Sequence, residues 1–157
     1  MQKITPFLWF DSQAEEAVAF YTSIFKDSKV LEVTRYGDAG PLPKGQVMVI
    51  TFQLEGQEFA ALNGGPFASF SPAISFLVDC ETQAELDALW DKLTEGGQVQ
   101  QCGWLTDKYG VTWQIVPRGL TDLLYGDDPV RSQRAMEAML KMTKLDLAQI
   151  RLAYEHG

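Results

Sequence analysis

The chain has 157 residues, enough for one ordinary domain or two small fused modules and too few for a second large domain. Its composition, 46% hydrophobic and 22% charged, is that of a globular protein. A formal net charge of -8 argues against nucleic acid and anionic membrane surfaces as partners, because both are held by clustered Lys and Arg.

The first apolar run, Ile4 to Phe10, predicts a short buried strand. Ser12-Gln13-Ala14-Glu15 has the S-x-x-E spacing of a capping box, so a helix is expected to start there. Ala14, Ala17, Val18, Tyr21, Ile24 and Phe25 give it one apolar stripe. Val30 to Tyr36 reads as a strand, and residues 37 to 45 are too rich in Gly and Pro to be anything but a loop. Gln46 to Leu54 and Glu58 to Leu62 form a strand pair turning at Glu55-Gly56-Gln57, and Asn63-Gly64-Gly65-Pro66 then breaks the chain.

The order then repeats. Ala73 to Val78 is an apolar strand, and Thr82-Gln83-Ala84-Glu85 is a second capping box. It opens a helix carrying Leu86, Leu89, Trp90 and Leu93, ended by Gly96-Gly97. Strand-like runs around Val99 to Leu105 and Val111 to Val116 flank the turn Asp107-Lys108-Tyr109-Gly110. Gln-Ala-Glu occurs at residues 13 to 15 and again at 83 to 85, each time after an apolar strand and at a helix start, so the pattern predicts an internal duplication with a 70-residue offset. Residues 128 to 154 are helical by pattern, with Pro129 suited to a first turn and Met136, Met139, Leu140, Leu147 and Ile150 available to pack. The basic residues Arg131, Arg134, Lys141 and Lys144 in this stretch lie among acidic ones and read as a solvated face.

The expected fold is therefore α+β, two βαβββ modules forming a curved mixed sheet with a concave cleft, plus C-terminal helices. We expect a single domain, with module one at about 3-63, module two at about 72-117 and the helical extension at about 120-157. No export signal or membrane-spanning run is read from the sequence, so the expected compartment is the cytoplasm, with Cys80 and Cys102 as free thiols.

Several segments carry a family resemblance: residues 4 to 11 (ITPFLWFD), 60 to 66 (AALNGGP), 74 to 82 (ISFLVDCET) and above all 102 to 117 (CGWLTDKYGVTWQIVP). They resemble the PhnB-like branch, often labelled 3-demethylubiquinone 3-methyltransferase, of the vicinal oxygen chelate (glyoxalase/bleomycin-resistance) superfamily, over roughly residues 3 to 154. The resemblance implies paired modules, a homodimer and a cleft for a small molecule. It also implies that metal-dependent members place ligands near positions that here are Thr5, Ala73 and Gln114, so that only Gln114 is a donor of any strength and neither a metal nor another cofactor is expected. A histidine expected near Phe67 in related sequences is missing, and the sole histidine, His156, is next to the C-terminal residue.

Methyl transfer from S-adenosylmethionine is not favoured, because Gly64-Gly65-Pro66 stands between two strands and not at a strand-to-helix turn. Strand alternation puts Thr5, Phe7 and Trp9 on one face and Thr112, Gln114 and Val116 on one face. The cleft candidates are Thr5, Phe7, Trp9, Asn63, Phe67, Phe70, Trp104 and Gln114. Gln114 is either an amide for a polar ligand atom or a sheet residue satisfied by a neighbour. Asn63, Phe67, Phe70 and Trp104, placed on loops near strand ends, are either a rim or core and turn residues. Asp107 reads as an acceptor for local backbone N-H groups, and Glu15, Glu16 and Glu85 as helix-start carboxylates. Cys102 is nucleophilic only with a lowered pKa.

The leading expectation is a metal-independent small-molecule binding protein. The alternatives are an enzyme of the same fold, glyoxalase-like (lyase or isomerase) or dioxygenase-like, and a drug-sequestering resistance protein that captures cationic aromatic compounds.

Overall fold

The structure is a computed structural model, and it describes residues 2 to 156. The chain forms two compact units, Met1–Phe70 and Ser71–Gly157.

The first unit contains β1 (Phe7–Phe10), α1 (Ala14–Ile24), β2 (Lys29–Arg35), β3 (Val47–Leu54) and β4 (Gln57–Asn63). The strand order is β1-β4-β3-β2, with β1 parallel to β4 and the other pairs antiparallel. β1 starts three residues later than its apolar run suggests. Pro6 has no N-H to give a ladder, and Ile4 O is taken by the Gln2 side chain at 2.9 Å. The β3-β4 turn is made by Glu55 (φ 50) and Gly56 (φ 80), the two positive φ values that a type I′ hairpin demands. α1 buries Ala14, Ala17, Val18 and Tyr21, and behind it Phe52 stacks on Phe59 at 5.5 Å across the hairpin.

The second unit repeats the plan with β5 (Phe76–Cys80), α2 (Gln83–Thr94), β6 (Gln98–Val99), β7 (Trp104–Thr106) and β8 (Thr112–Pro117), in the order β5-β8-β7-β6. The two sheets have identical connectivity, and the repeated Gln-Ala-Glu marks equivalent helix starts. β5 is parallel to β8, as β1 is to β4. The strand-like run from Val99 to Leu105 is broken, because Cys102 (φ 59) and Gly103 (φ 84) turn the chain between β6 and β7. A Cβ on Gly103 would sit 2.8 Å from Ile115 O, so glycine permits a backbone approach as well as the turn. Trp104 is consequently the first residue of β7, not a loop residue.

The two capping signatures have different fates. Thr82 Oγ1 accepts the Glu85 amide at 3.1 Å, and Glu85 Oε2 accepts the Glu81 amide at 3.1 Å, so α2 carries a capping box displaced by one residue on the return bond. Ser12 makes no equivalent bond, and Gln13 takes the cap position of α1 without a side-chain bond of its own. The first-turn amide of Ala14 is satisfied from β4, by Asn63 Oδ1 at 2.8 Å.

The expected C-terminal helices are α3 (Leu120–Leu124), α4 (Pro129–Leu140) and α5 (Leu147–His156). Asp128 caps α4 by accepting the Val130 and Arg131 amides, and Pro129 occupies the first turn as read from the sequence. Between α4 and α5, Met142 O accepts from Cys102 N at 2.9 Å and Thr143 O from Gly103 N at 2.8 Å. Leu145 there is fully buried. No helix among the described residues is long and apolar enough to cross a membrane.

Candidate functional site

In the first unit, Phe7 is 58% exposed and Trp9 half-buried, whereas Leu8 and Phe10 between them are buried, so Phe7 and Trp9 share the more open face of β1. Thr5 lies half-buried before the strand. Trp9 Nε1 donates to Gly65 O at 2.9 Å, and a Cβ on Gly64 would lie 2.4 Å from the Trp9 ring. The Gly-Gly pair thus serves the close approach of an indole.

Asn63 is 4% exposed. Its Oδ1 caps Ala14, its Nδ2 donates to Glu15 Oε1 at 2.7 Å and to Val47 O at 3.1 Å, and its own carbonyl accepts the Tyr36 hydroxyl at 2.5 Å. These bonds use both donors and one acceptor position of the amide inside the fold. Phe70 packs edge-on against Phe10 at 5.2 Å, and Phe67 is 80% exposed.

In the second unit the register brings three residues into one row. Gln114 of β8 is directly opposite Leu77 of β5 and Trp104 of β7. Side chains on directly paired residues share a sheet face, and this face lines a pocket of about 520 Å³. Leu77, Trp104, Val116 and Met139 give the pocket its apolar surface, and Cys102, Gln114, Arg118 and Asp122 its polar points. The volume is in the range of small-molecule sites. Gln114 Nε2 donates to Ser75 Oγ at 2.9 Å. At the rim, Arg118 Nε pairs with Asp79 at 3.0 Å and its Nη1 with Glu81 at 3.1 Å. These two carboxylates hold the guanidinium above its ordinary pKa.

Sequence reading missed the rim residues Asp79, Arg118 and Asp122 and the floor residue Met139. The charged trio spans β5 to α3, and no local periodicity links them; the only signal was Arg118-Gly119, a turn closing the last strand.

Asp107 is not in this pocket. Its Oδ1 accepts the amides of Tyr109 (2.8 Å) and Val111 (3.1 Å), and Oδ2 accepts Trp113 Nε1 at 2.9 Å, so it organises the β7-β8 turn. Cys80 is fully buried, and burial, with Glu85 and Asp79 nearby, pushes its thiol up to about 12, which makes it inert.

Two copies of a β-α-β-β-β unit, each with its first strand parallel to its last, define the glyoxalase/bleomycin-resistance class, the vicinal oxygen chelate fold. The family model described as 3-demethylubiquinone-9 3-methyltransferase matches residues 2–116. The chain belongs to this PhnB-like family. It is 41% identical to a PhnB protein from Bacillus cereus described as a candidate 3-demethylubiquinone-9 3-methyltransferase, covering 74% of this chain and 99% of that one with a TM-score of 0.68. Protein PA1353 from Pseudomonas aeruginosa is 22% identical, with 74% and 98% covered and a TM-score of 0.62. The fosfomycin resistance protein FosX from Listeria monocytogenes, solved with Mn(II) and sulfate, is 11% identical, with 77% and 93% covered and a TM-score of 0.54. These two share the fold. No curated protein matches the sequence.

The family resemblance places metal donors at Thr5, Ala73 and Gln114. Ala73 has no donor. With the 70-residue offset the counterpart of Thr5 is Ser75, whose hydroxyl is already bonded to Gln114. Among the described residues no three His, Cys, Asp or Glu side chains gather as a metal site. A hydroxyl and an amide bonded to each other do not fit a divalent ion that needs three or four converging donors.

Proposed function

We propose that this protein is a metal-independent small-molecule binding protein whose ligand sits on the β5-β8-β7 face of the second unit. The observation that carries the reading is the pocket of about 520 Å³ over the row Leu77, Gln114 and Trp104. An indole, aliphatic side chains and a thioether supply apolar contact, and a few polar atoms fix orientation, which is the usual make-up of a site for a small organic molecule. Gln114, held by Ser75, acts as an oriented hydrogen-bonding group and not as a metal ligand. Phe7, Trp9 and Phe67 offer further aromatic contact surface in the first unit, and the working form is a homodimer.

The family label does not extend to methyl transfer in this reading. The Gly64-Gly65 pair, which would have to approach a cofactor, is filled by Trp9. The first experiment is elemental analysis of untagged protein purified without chelators, before and after incubation with zinc, nickel, manganese and iron(II). The expected result is far less than one ion per chain throughout. Stoichiometric metal overturns the reading and brings a glyoxalase-like or dioxygenase-like enzyme forward, to be tested on reactive carbonyls and catechols. Sedimentation at several concentrations tests the dimer, and a monomer at all of them removes it.

A further inference from the structure

The C-terminal helices meet around one hydroxyl that the protein groups leave unpaired. Ser132 of α4 is 7% exposed, and its buried Oγ bonds to no described residue. Other helical hydroxyls in the chain are satisfied locally: Thr22, Ser23 and Thr94 each donate to a carbonyl three or four residues back. Ser132 does not take that route, although the Asp128 carbonyl that accepts its amide at 2.9 Å stands four residues back. We infer that Ser132 and Tyr154 hold one buried water molecule beside Gly126, and that this water fastens α3 to α4 and α5.

The geometry at Gly126, in the link between α3 and α4, carries the argument. A Cβ placed on this residue would sit 2.7 Å from Asp122 O, 3.7 Å from the Tyr154 hydroxyl and 3.8 Å from Ser132 Oγ. A carbonyl of α3, a hydroxyl of α4 and a hydroxyl of α5 thus converge beside a residue that has no side chain to fill the space. Ser132 and Tyr154 do not bond to each other. The Tyr154 ring is itself held, with the Arg131 guanidinium 5.8 Å from its centroid and Arg131 paired with Asp128 at 3.4 Å.

A buried hydroxyl without a partner is costly, and native folds nearly always supply one. Three neutral oxygens, two of which also donate, call for a guest that both donates and accepts. Water does both, and about two to four polar partners are what a buried water needs. A metal ion accepts electron pairs only and leaves the hydroxyl protons unplaced.

The consequence reaches the pocket wall. Leu120, Thr121 and Asp122 of α3 line the pocket of the second unit, whereas Gly126, Ser132 and Tyr154 do not. The water therefore fixes where that wall stands without touching what the pocket holds, and it does so whatever the pocket binds. All of its partners lie beyond residue 116, the last that the family model matches.

The test is a double-mutant cycle on the full chain, read by urea unfolding, with Ser132→Ala, Tyr154→Phe and both together. Phe keeps the ring beside Arg131 and removes only the hydroxyl. Each single variant is expected to lower the folding equilibrium constant about five- to tenfold, and the double variant little further, because the two hydroxyls share one guest. The Tyr125 amide, which donates to Thr121 O within α3, should exchange severalfold faster in each. A crystal structure of the native chain should show one oxygen within about 3.2 Å of both hydroxyls. An unchanged or raised folding constant in Ser132→Ala means a hydroxyl with no guest and overturns the inference. Additive losses, or a crystal structure in which Ser132 bonds the Asp128 carbonyl or Tyr154 directly, overturn it as well. Unchanged exchange at Tyr125 removes the fastening of α3.

Discussion

Asn63 Oδ1 accepts the Ala14 amide at 2.8 Å, so the last residue of β4 caps the helix that begins 49 residues earlier in the chain. In the second unit the equivalent position is Pro117, since Phe10 pairs with Asn63 as Cys80 pairs with Pro117. Proline has no such side chain, and there Thr82 caps its own helix. The two halves solve one problem, orphan amides at a helix start, by different routes.

This asymmetry gives a graded prediction. Asn63→Ala should cost about 2–3 kcal/mol, because it strips a buried cap and leaves the Val47 carbonyl and Glu15 without their donor. Thr82→Ala should cost about 1 kcal/mol, and Ser12→Ala less than about 0.5 kcal/mol because Ser12 caps nothing. Urea denaturation midpoints order the three; a Ser12→Ala loss equal to that of Thr82→Ala would contradict the assignment.

Asp107→Ala removes the acceptor for two turn amides and for the Trp113 indole, two of these bonds being buried. The expected loss is about 3 kcal/mol. Thermal unfolding measures it. A loss under about 1 kcal/mol would mean that water replaces the carboxylate.

The thiol of Cys80 makes stability pH-dependent on the alkaline side. Its ordinary value is 9.0 and its folded value about 12. The folded state therefore keeps a proton that the unfolded state loses above pH 9, so stability should fall as pH rises from 9 towards 12, by at most about 1.4 kcal/mol per unit from this group. Below pH 9 the group contributes no slope. Denaturant titrations at pH 8.5, 9.5 and 10.5 on the native chain and on Cys80→Ala would read it: the variant should show a shallower fall, and parallel curves would refute the buried thiol.

Gln83 ties the tail to the second unit, since Nε2 donates to Leu145 O at 2.9 Å and Oε1 accepts Leu147 N at 3.1 Å, at the first turn of α5. Gln83→Ala should speed hydrogen exchange in α5 before it affects α2, with a global loss of about 1–2 kcal/mol. Lys144→Ala, breaking only a half-exposed pair with Asp87, should leave exchange in α5 nearly unchanged. Equal protection of α5 in the Gln83→Ala variant would show that Leu145 and Ile150 alone hold the tail.

Most of the fold was legible because it is written in local patterns. The apolar stripe of α1, the stripe of α2, the Glu55-Gly56 hairpin and the Asp107 turn all follow from residues within a few positions of one another. The duplication was visible in one tripeptide. Trp104 was misplaced because two positive-φ residues, one of them the non-glycine Cys102, bend the chain just before it. The C-terminal helices were expected, but the break between two of them at residues 141 to 146 was not located, because carbonyls there are taken by the β6-β7 turn, a partner distant in sequence. For the site, Gln114 and Trp104 were nominated separately from alternation and aromatic content. Their direct pairing, and the company of Asp79, Arg118 and Asp122, required the register of three strands and the placement of α3.

By itself the sequence determined the βαβββ units and the helix faces, because periodicity and capping residues are properties of short segments. Only the tertiary structure decided that Asn63 caps a helix, that Gln114 is held by Ser75, and that Arg118 is occupied by two carboxylates. Each is a hydrogen bond or ion pair whose partner is fixed by how strands and helices are brought together. A side chain's remaining donors and acceptors are known only once those partners are in place.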